Sequence, residues 1–275
     1  MQRKYIEHSD PKLKFRKSMH TLFSMVNRNV RNQYRNSVLG ILWTLLNPLL
    51  NMVVIALVFS MIFSRDQMAT LGMPYPIYLL SGNIVFGLLR NSTSNALPCM
   101  VRNYDLLSKT KLVHEIFPIS NVLSAVVNFF FSLLALFVVM LFFLNKGMSF
   151  HWTILMTLVP FLPFLMLFSL GVSFILSTIY IRFRDIQHIY SVVLTLWMYL
   201  TPLFYSINMI QGHQTATKIL KLNPMYHYVL YFREILMGTV PSLEMHAITA
   251  AWGVGMCLVG FLFFHFSKKK FLLYI

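Results

Sequence analysis

The sequence predicts an all-α membrane protein: six transmembrane helices, an N-terminal amphipathic interface helix, and short extracellular re-entrant helices between spans five and six. Three observations carry that prediction. Of 275 residues, 57% are hydrophobic and 11% charged, with mean hydropathy +0.65, whereas a soluble domain carries about a quarter charged residues. Uncharged apolar runs of membrane-spanning length recur along the chain. With six spans drawn, 18 of the 23 Lys and Arg residues fall on one side, the asymmetry expected of cytoplasmic loops.

Residues 1–40 form the cytoplasmic N-terminal segment. Phe15, Met19, Leu22, Phe23, Val26 and Val30 recur at steps of three and four, so they share one helix face. Arg16, Lys17, Arg28, Arg31 and Arg35 fall mostly elsewhere around it, as on a helix lying in the headgroup region. Residues 41–275 form the transmembrane domain, with spans at 42–63, 76–97, 119–144, 152–180, 186–205 and 245–266. The first holds 22 uncharged residues, about 33 Å of helix against a hydrocarbon core of roughly 30 Å. It lies too far from Met1, and is too long, for a cleaved signal peptide.

The second span is short of apolar residues and runs on through Arg90 into the polar stretch 91–95. Two readings stand for that stretch: polar groups facing other helices or a water-filled path, or the cytoplasmic end of the helix. Positive-inside parity requires the span. Without it the basic tail at Lys268–Lys270 would lie outside. Pro160 and Pro163 are expected to kink span four, and Ala251 with Gly255 to form a small-xxx-small packing pair on span six. Between spans five and six, residues 226–237 give about 18 Å of helix and contain Arg233 and Glu234. Two short helices broken near Asn223 and Pro224 fit better than a seventh span, with Arg233 and Glu234 as an ion pair.

Several chemistries are excluded. The net charge of +15 is spread between apolar runs and accompanies no nucleic-acid-binding motif. No GxxxxGK[ST] loop, GxSxG elbow, closely spaced histidine pair or CxxC is present, so no catalytic or metal site is expected. All eight carboxylates lie outside the cores of the spans, whereas ion-coupled transporters usually place an acid at membrane depth. A membrane pathway powered by something else remains.

The stretch QYRNSVLGILWTLLNPLLN (33–51) resembles the start of the first span in type-2 ABC transporter permeases that export polysaccharides. NYDLLSKTKLVHEIFPIS (103–120) resembles their ATPase-docking loop. LTPLFYSINMI followed by LNPMYHYVLYFREILM (200–237) is similar to their end of span five and extracellular re-entrant helices. The resemblance covers nearly the whole chain. It implies a homodimer of this permease in the bacterial inner (plasma) membrane, with both termini cytoplasmic, paired with a separate nucleotide-binding ABC ATPase. The cargo implied is a lipid-linked glycan of O-antigen, teichoic acid or capsular type. ATP and Mg would bind the partner; no cofactor is expected on this chain.

The resemblance assigns ATPase docking to Asn103, Asp105, Leu106, Leu107, Lys109 and Lys111, with the two leucines filling a pocket in the partner. The interface helix would use Phe15, Met19, Phe23, Arg28, Arg31, Tyr34 and Arg35 to frame a lateral opening for substrate. Tyr78, Phe86, Tyr190, Trp197, Tyr199 and Tyr205 are candidates for a sugar path, because sugar C–H faces pack on aromatic rings; lipid-facing aromatics are the alternative. Asn223, Pro224, Arg233 and Glu234 belong to the re-entrant helices. Competing functions are a type-2 ABC permease for a drug or small lipid, and a channel or secondary transporter without an ATPase.

Overall fold

A computed structural model describes residues 11–34, 39–40, 42–62, 72–109, 113–144, 149–205, 214–268 and 271. Arg35, Lys111, Lys269 and Lys270, and the side chains of Phe15, Tyr34 and Lys109, lie outside the described residues. No strand occurs among the described residues, which form eleven α-helices: α1 (Pro11–Tyr34), α2 (Leu42–Ile62), α3 (Tyr75–Ala96), α4 (Cys99–Arg102), α5 (Tyr104–Lys109), α6 (Ile116–Phe143), α7 (Phe161–Arg182), α8 (Ile186–Leu200), α9 (Gln214–Leu222), α10 (Pro224–Leu236) and α11 (Leu243–Ser267). Among the described residues, three stretches are long and apolar enough to cross a membrane: Ile116–Phe143, Trp152–Arg182 and Leu243–Ser267.

Two expectations about helix shape are corrected. Pro160 and Pro163 do not kink a continuous helix. Trp152–Thr157 is a short 3-10 helix, Pro160 caps α7, and Pro163 sits in its first turn, where a missing N–H costs nothing. Span five was drawn to residue 205, but α8 ends at Leu200. Its 15 residues rise only about 22 Å, and the chain continues without helix through Tyr205.

The pairing of α7 with α11 rests on bare backbone. A Cβ on Gly171 would overlap the Met256 carbonyl, one on Gly260 would overlap the Gly171 backbone, and one on Gly253 would lie 2.6 Å from the Phe164 carbonyl oxygen. Ala251 and Gly255, the expected packing pair, are exposed, and nothing lies within 4 Å of a Cβ added at Gly255. The seam uses the other side of α11. Residues 253 and 260 are two turns apart and align on one face.

Around this seam α10 is enclosed. Tyr228, Tyr231, Phe232, Arg233 and Ile235 have no solvent exposure. Local chemistry defines its ends. Asn223 Oδ1 accepts from the Met225 N–H at 3.0 Å, Pro224 occupies the first turn, and Gly238 leaves the helix at φ +78°. Phe161 stacks on Phe232 at 5.3 Å, and the Tyr228 hydroxyl donates to the Thr249 carbonyl at 2.8 Å.

A second cluster gathers at the opposite end of the helices. Met25 of α1, Met100 of α4, Leu107 of α5, Ile116 of α6, Phe264 of α11 and Phe271 are buried together. Beside it the Lys268 ammonium pairs with Glu115 at 2.8 Å, and the rings of His114 and Phe271 lie 6.2 Å apart. The N-terminal helix, the loop before α6 and the C-terminal end therefore share one end of the fold. Burial pushes the Glu115 carboxyl up, but the bond from Lys268 and the nearby positive charge outweigh it, leaving the carboxyl below its ordinary 4.5. A depressed carboxylate stabilises above its unfolded value and loses that contribution as pH falls through the folded one. Protease protection around Phe271 is thus expected to hold at neutral pH and to fall below the ordinary carboxylate range. In Glu115→Gln the protection should be lower at neutral pH and lose this acid step.

Candidate functional site

At the end of the fold shared by α1 and the end of α11, α1 lies across α6. Its apolar stripe is divided. Met25, absent from the predicted stripe, is buried against the fold, while Met19 and Phe23 remain exposed, Phe23 at 65%. A stripe chosen by 3.6-residue periodicity alone misses Met25 because α1 has two surroundings, protein on one side and an open face on the other. Hydrogen bonds then fix its rotation: Asn29 Nδ2 donates to Asn121 Oδ1 at 3.5 Å, and Asn128 Nδ2 to Gln33 Oε1 at 3.0 Å. The structure also joins two predicted sites, since Arg28 Nη2 donates to Asn103 Oδ1 at 2.7 Å. Arg31 is exposed. Arg28 and Arg102 line one cavity of about 440 Å³ with carboxamides including Asn29, Asn103 and Asn121.

The expectation that Leu106 and Leu107 fill a partner's pocket is corrected by their packing. Leu107 is 6% exposed and belongs to the cluster of Met25, Met100 and Phe117; Leu106 packs against the same cluster. The outward face of α5 carries Tyr104, Asp105 and Ser108 instead. Tyr104 was missed because the two leucines are the more apolar choice. The i, i+3 relation of Tyr104 and Leu107 alone does not say which side of α5 meets α4.

The six aromatics named for a path separate into different environments. Tyr78 is 1% exposed, and its hydroxyl donates to the Tyr205 carbonyl at 2.8 Å. Tyr205 in turn donates to the Tyr199 carbonyl at 3.1 Å. Trp197 donates from Nε1 to Asn223 Oδ1 at 2.7 Å, tying α8 to the cap of α10. Tyr78, Trp197 and Tyr205 are therefore engaged in holding the fold. Phe86 and Tyr190 are buried but line a cavity of about 710 Å³ with Arg90, Gln187 and Thr195, where the Tyr190 hydroxyl bonds Thr93 Oγ1 at 2.7 Å. Tyr199 is 61% exposed. Exposed apolar residues continue along α8 at Ile189, Val192, Val193 and Leu196.

Arg233 and Glu234 do not form the expected ion pair. The Arg233 guanidinium lies 3.4 Å over the Tyr78 ring and donates to the carbonyls of Pro202, Tyr78 and Leu203 at 2.9, 3.1 and 3.4 Å, with Ser81 Oγ also at 3.4 Å. Five donors in a planar fork suit several carbonyls at once. Asn223 acts likewise, bonding the Leu200 carbonyl, Thr201 Oγ1 and Trp197. Both residues secure the non-helical 201–205 segment between α3, α8 and α10.

Polar cavities thus flank α3, no acidic residue among the described residues lines either cavity described above, and a small helix pair, α4 and α5, lies at the end shared by α1 and Lys268. Among the described residues no group of three His, Cys, Asp or Glu side chains suits a metal ion. A family model described as ABC-2 type transporter matches residues 20–237. The chain is 30% identical over 237 residues to the O-antigen export system permease protein RfbA of Myxococcus xanthus, covering 83% of this chain and 86% of that protein. Two proteins of the same name from Klebsiella pneumoniae are 27% and 26% identical, covering 91% and 94% of this chain and 93% and 98% of their own lengths. With four fifths of its length matched, the chain belongs to the ABC-2 type transporter family.

Proposed function

We propose that this chain is the membrane permease of an ATP-driven polysaccharide exporter, moving a lipid-linked glycan of O-antigen type across the bacterial inner membrane. The carrying observation is the similarity to three O-antigen export permeases along nearly their entire lengths. In this reading six spans cross the bilayer, with α2, α3 and α8 completing the three longer apolar stretches, and α9 and α10 dip in from outside. Both termini are cytoplasmic. The meeting of α1 with the end of α11 and Phe271, through Met25 and Phe264, supports an even number of crossings, as does the distribution of Lys and Arg.

Two copies assemble with two ATPase subunits. The exposed apolar face of α8 supports a second copy of the chain as its cover, since contiguous apolar faces rimmed by polar groups mark interaction sites. In that dimer Tyr199 would face the path. The carrier's phosphates would meet Arg28 and Arg102, whose guanidinium forks suit phosphate oxygens.

The ATPase docks on the outward face of α5. Tyr104→Ala is expected to weaken co-purification with the ATPase encoded alongside the gene and to cut export, with membrane insertion and thermal stability unchanged. Leu107→Asp should instead destabilise the chain itself, because it places a charge in a packed cluster. A chain that transports in liposomes without any ATPase would overturn the proposed function.

A further inference from the structure

A chamber of about 710 Å³ opens between α1, α2, α3, α6 and the end of α8, within the roughly 300–1,000 Å³ typical of ligand sites. Its polar lining is almost entirely carboxamide: Gln33, Asn47, Asn51, Asn83, Asn91 and Asn128. The spacing is helical in each contributing element. Asn47 and Asn51 are one turn apart on α2; Asn83, Gly87 and Asn91 follow at two successive turns on α3; Asn128 and Ser132 repeat the step on α6. Four helices therefore bring one chemical group to one space.

Those groups are under-used by the fold. Asn128 is 9% exposed, and its Oδ1 has no hydrogen-bond partner, although leaving a buried acceptor unpaired costs about 1–3 kcal/mol. Asn47, Asn51 and Asn91 make no hydrogen bond among the described residues. Asn83 spends its Nδ2 on the Leu79 carbonyl at 3.0 Å, which leaves its oxygen. Asn, unlike Asp or Lys, offers donors and an acceptor on one side chain, matching hydroxyl groups that both donate and accept. Trp43 and the exposed Tyr199 add aromatic faces to the wall. Among the described residues Arg90 is its one Lys or Arg and no carboxylate lines it, which disfavours a metal ion or a cationic ligand.

We infer that this chamber binds a hydroxyl-rich sugar unit of the cargo by carboxamide hydrogen bonds. The inference rests on the proposed export function and deepens it. Gly87 supplies the means to test it. It lies on the chamber wall in a regular turn of α3, and nothing lies within 4 Å of a Cβ added there. A side chain at 87 therefore starts into open space on the chamber wall.

The test uses the full chain with its ATPase, in cells whose surface polysaccharide depends on this gene. Gly87→Leu and Asn91→Leu are expected to reduce surface polysaccharide by about tenfold or more, the scale of losing two buried hydrogen bonds to a ligand. Membrane level, ATPase association and cross-linked dimer yield should stay at wild-type values, and Asn91→Gln, which keeps the carboxamide, should retain most export. Wild-type export by either leucine variant overturns the inference. So does loss of the cross-linked dimer, which would make the chamber a contact between copies, and so does an Asn91→Gln defect equal to that of Asn91→Leu. A wild-type chain that restores no surface polysaccharide overturns instead the export function beneath it.

Discussion

Arg233→Met is expected to abolish export and to lower the melting temperature of the purified chain more than any substitution on its exposed surface. The guanidinium is fully buried and makes its hydrogen bonds to three carbonyls and Ser81. Methionine fills much of the volume but donates nothing. The Pro202 and Leu203 carbonyls lie in a segment without helical hydrogen bonds, and each buried polar group left unpaired costs about 1–3 kcal/mol. The contact with the Tyr78 face, worth up to about 2 kcal/mol when desolvated, is also lost. At about 2–4 °C per kcal/mol for a chain of this size, a fall of at least about 5 °C should be measured by thermal denaturation in detergent. Arg233→Lys keeps the charge without the fork and should lie between. Glu234→Ala, by contrast, should leave the 201–205 segment in place. An unchanged melting temperature for Arg233→Met would refute the clamp.

Gly171→Ala is the second large expected effect. The new methyl would overlap the Met256 carbonyl, a backbone group that cannot rotate away, while the Gly171 backbone itself meets Gly260. Overpacking a well-filled core typically costs about 1–3 kcal/mol, occasionally more. The upper end is expected here, because relief requires α7 and α11 to separate along their whole seam. Gly255→Ala is the matched control on the open face of α11, where alanine gains about 1 kcal/mol of helix propensity and meets nothing. The readout is thermal stability together with export: Gly171→Ala should lose both and Gly255→Ala neither. Equal behaviour of the two would show that the close approach of these helices does not hold the fold.

Much of the architecture was legible because hydrophobic length and periodicity are local properties. The all-helical class and the apolar stretches at 116–143 and 243–267 follow from runs of uncharged residues. The break at Asn223 and Pro224 follows from a residue that caps and a residue that has no N–H to donate to an i−4 carbonyl. The family was legible for a different reason: motif order is preserved across nearly the full length.

What failed was direction. The sequence offers Leu107, Trp197 and Tyr78 as outward or path-facing groups, yet they bond or pack inward. Ala251 and Gly255 satisfied a spacing rule that Gly253 and Gly260 carry out on another face. In a span that is apolar all round, periodicity does not distinguish lipid from neighbouring helix, since both are apolar surroundings.

The amino-acid order by itself determined that the chain is a basic, helical membrane protein of the ABC-2 type. Composition and helix-forming runs act within a few residues of themselves, so no partner segment is needed to read them. Only the tertiary structure decided that Arg233 reaches across more than 150 residues to hold Ser81 and Tyr78, and that six carboxamides from four helices face one chamber. Those juxtapositions depend on how each helix is rotated about its axis, and that rotation is fixed by close packing and hydrogen bonds between segments far apart in the chain.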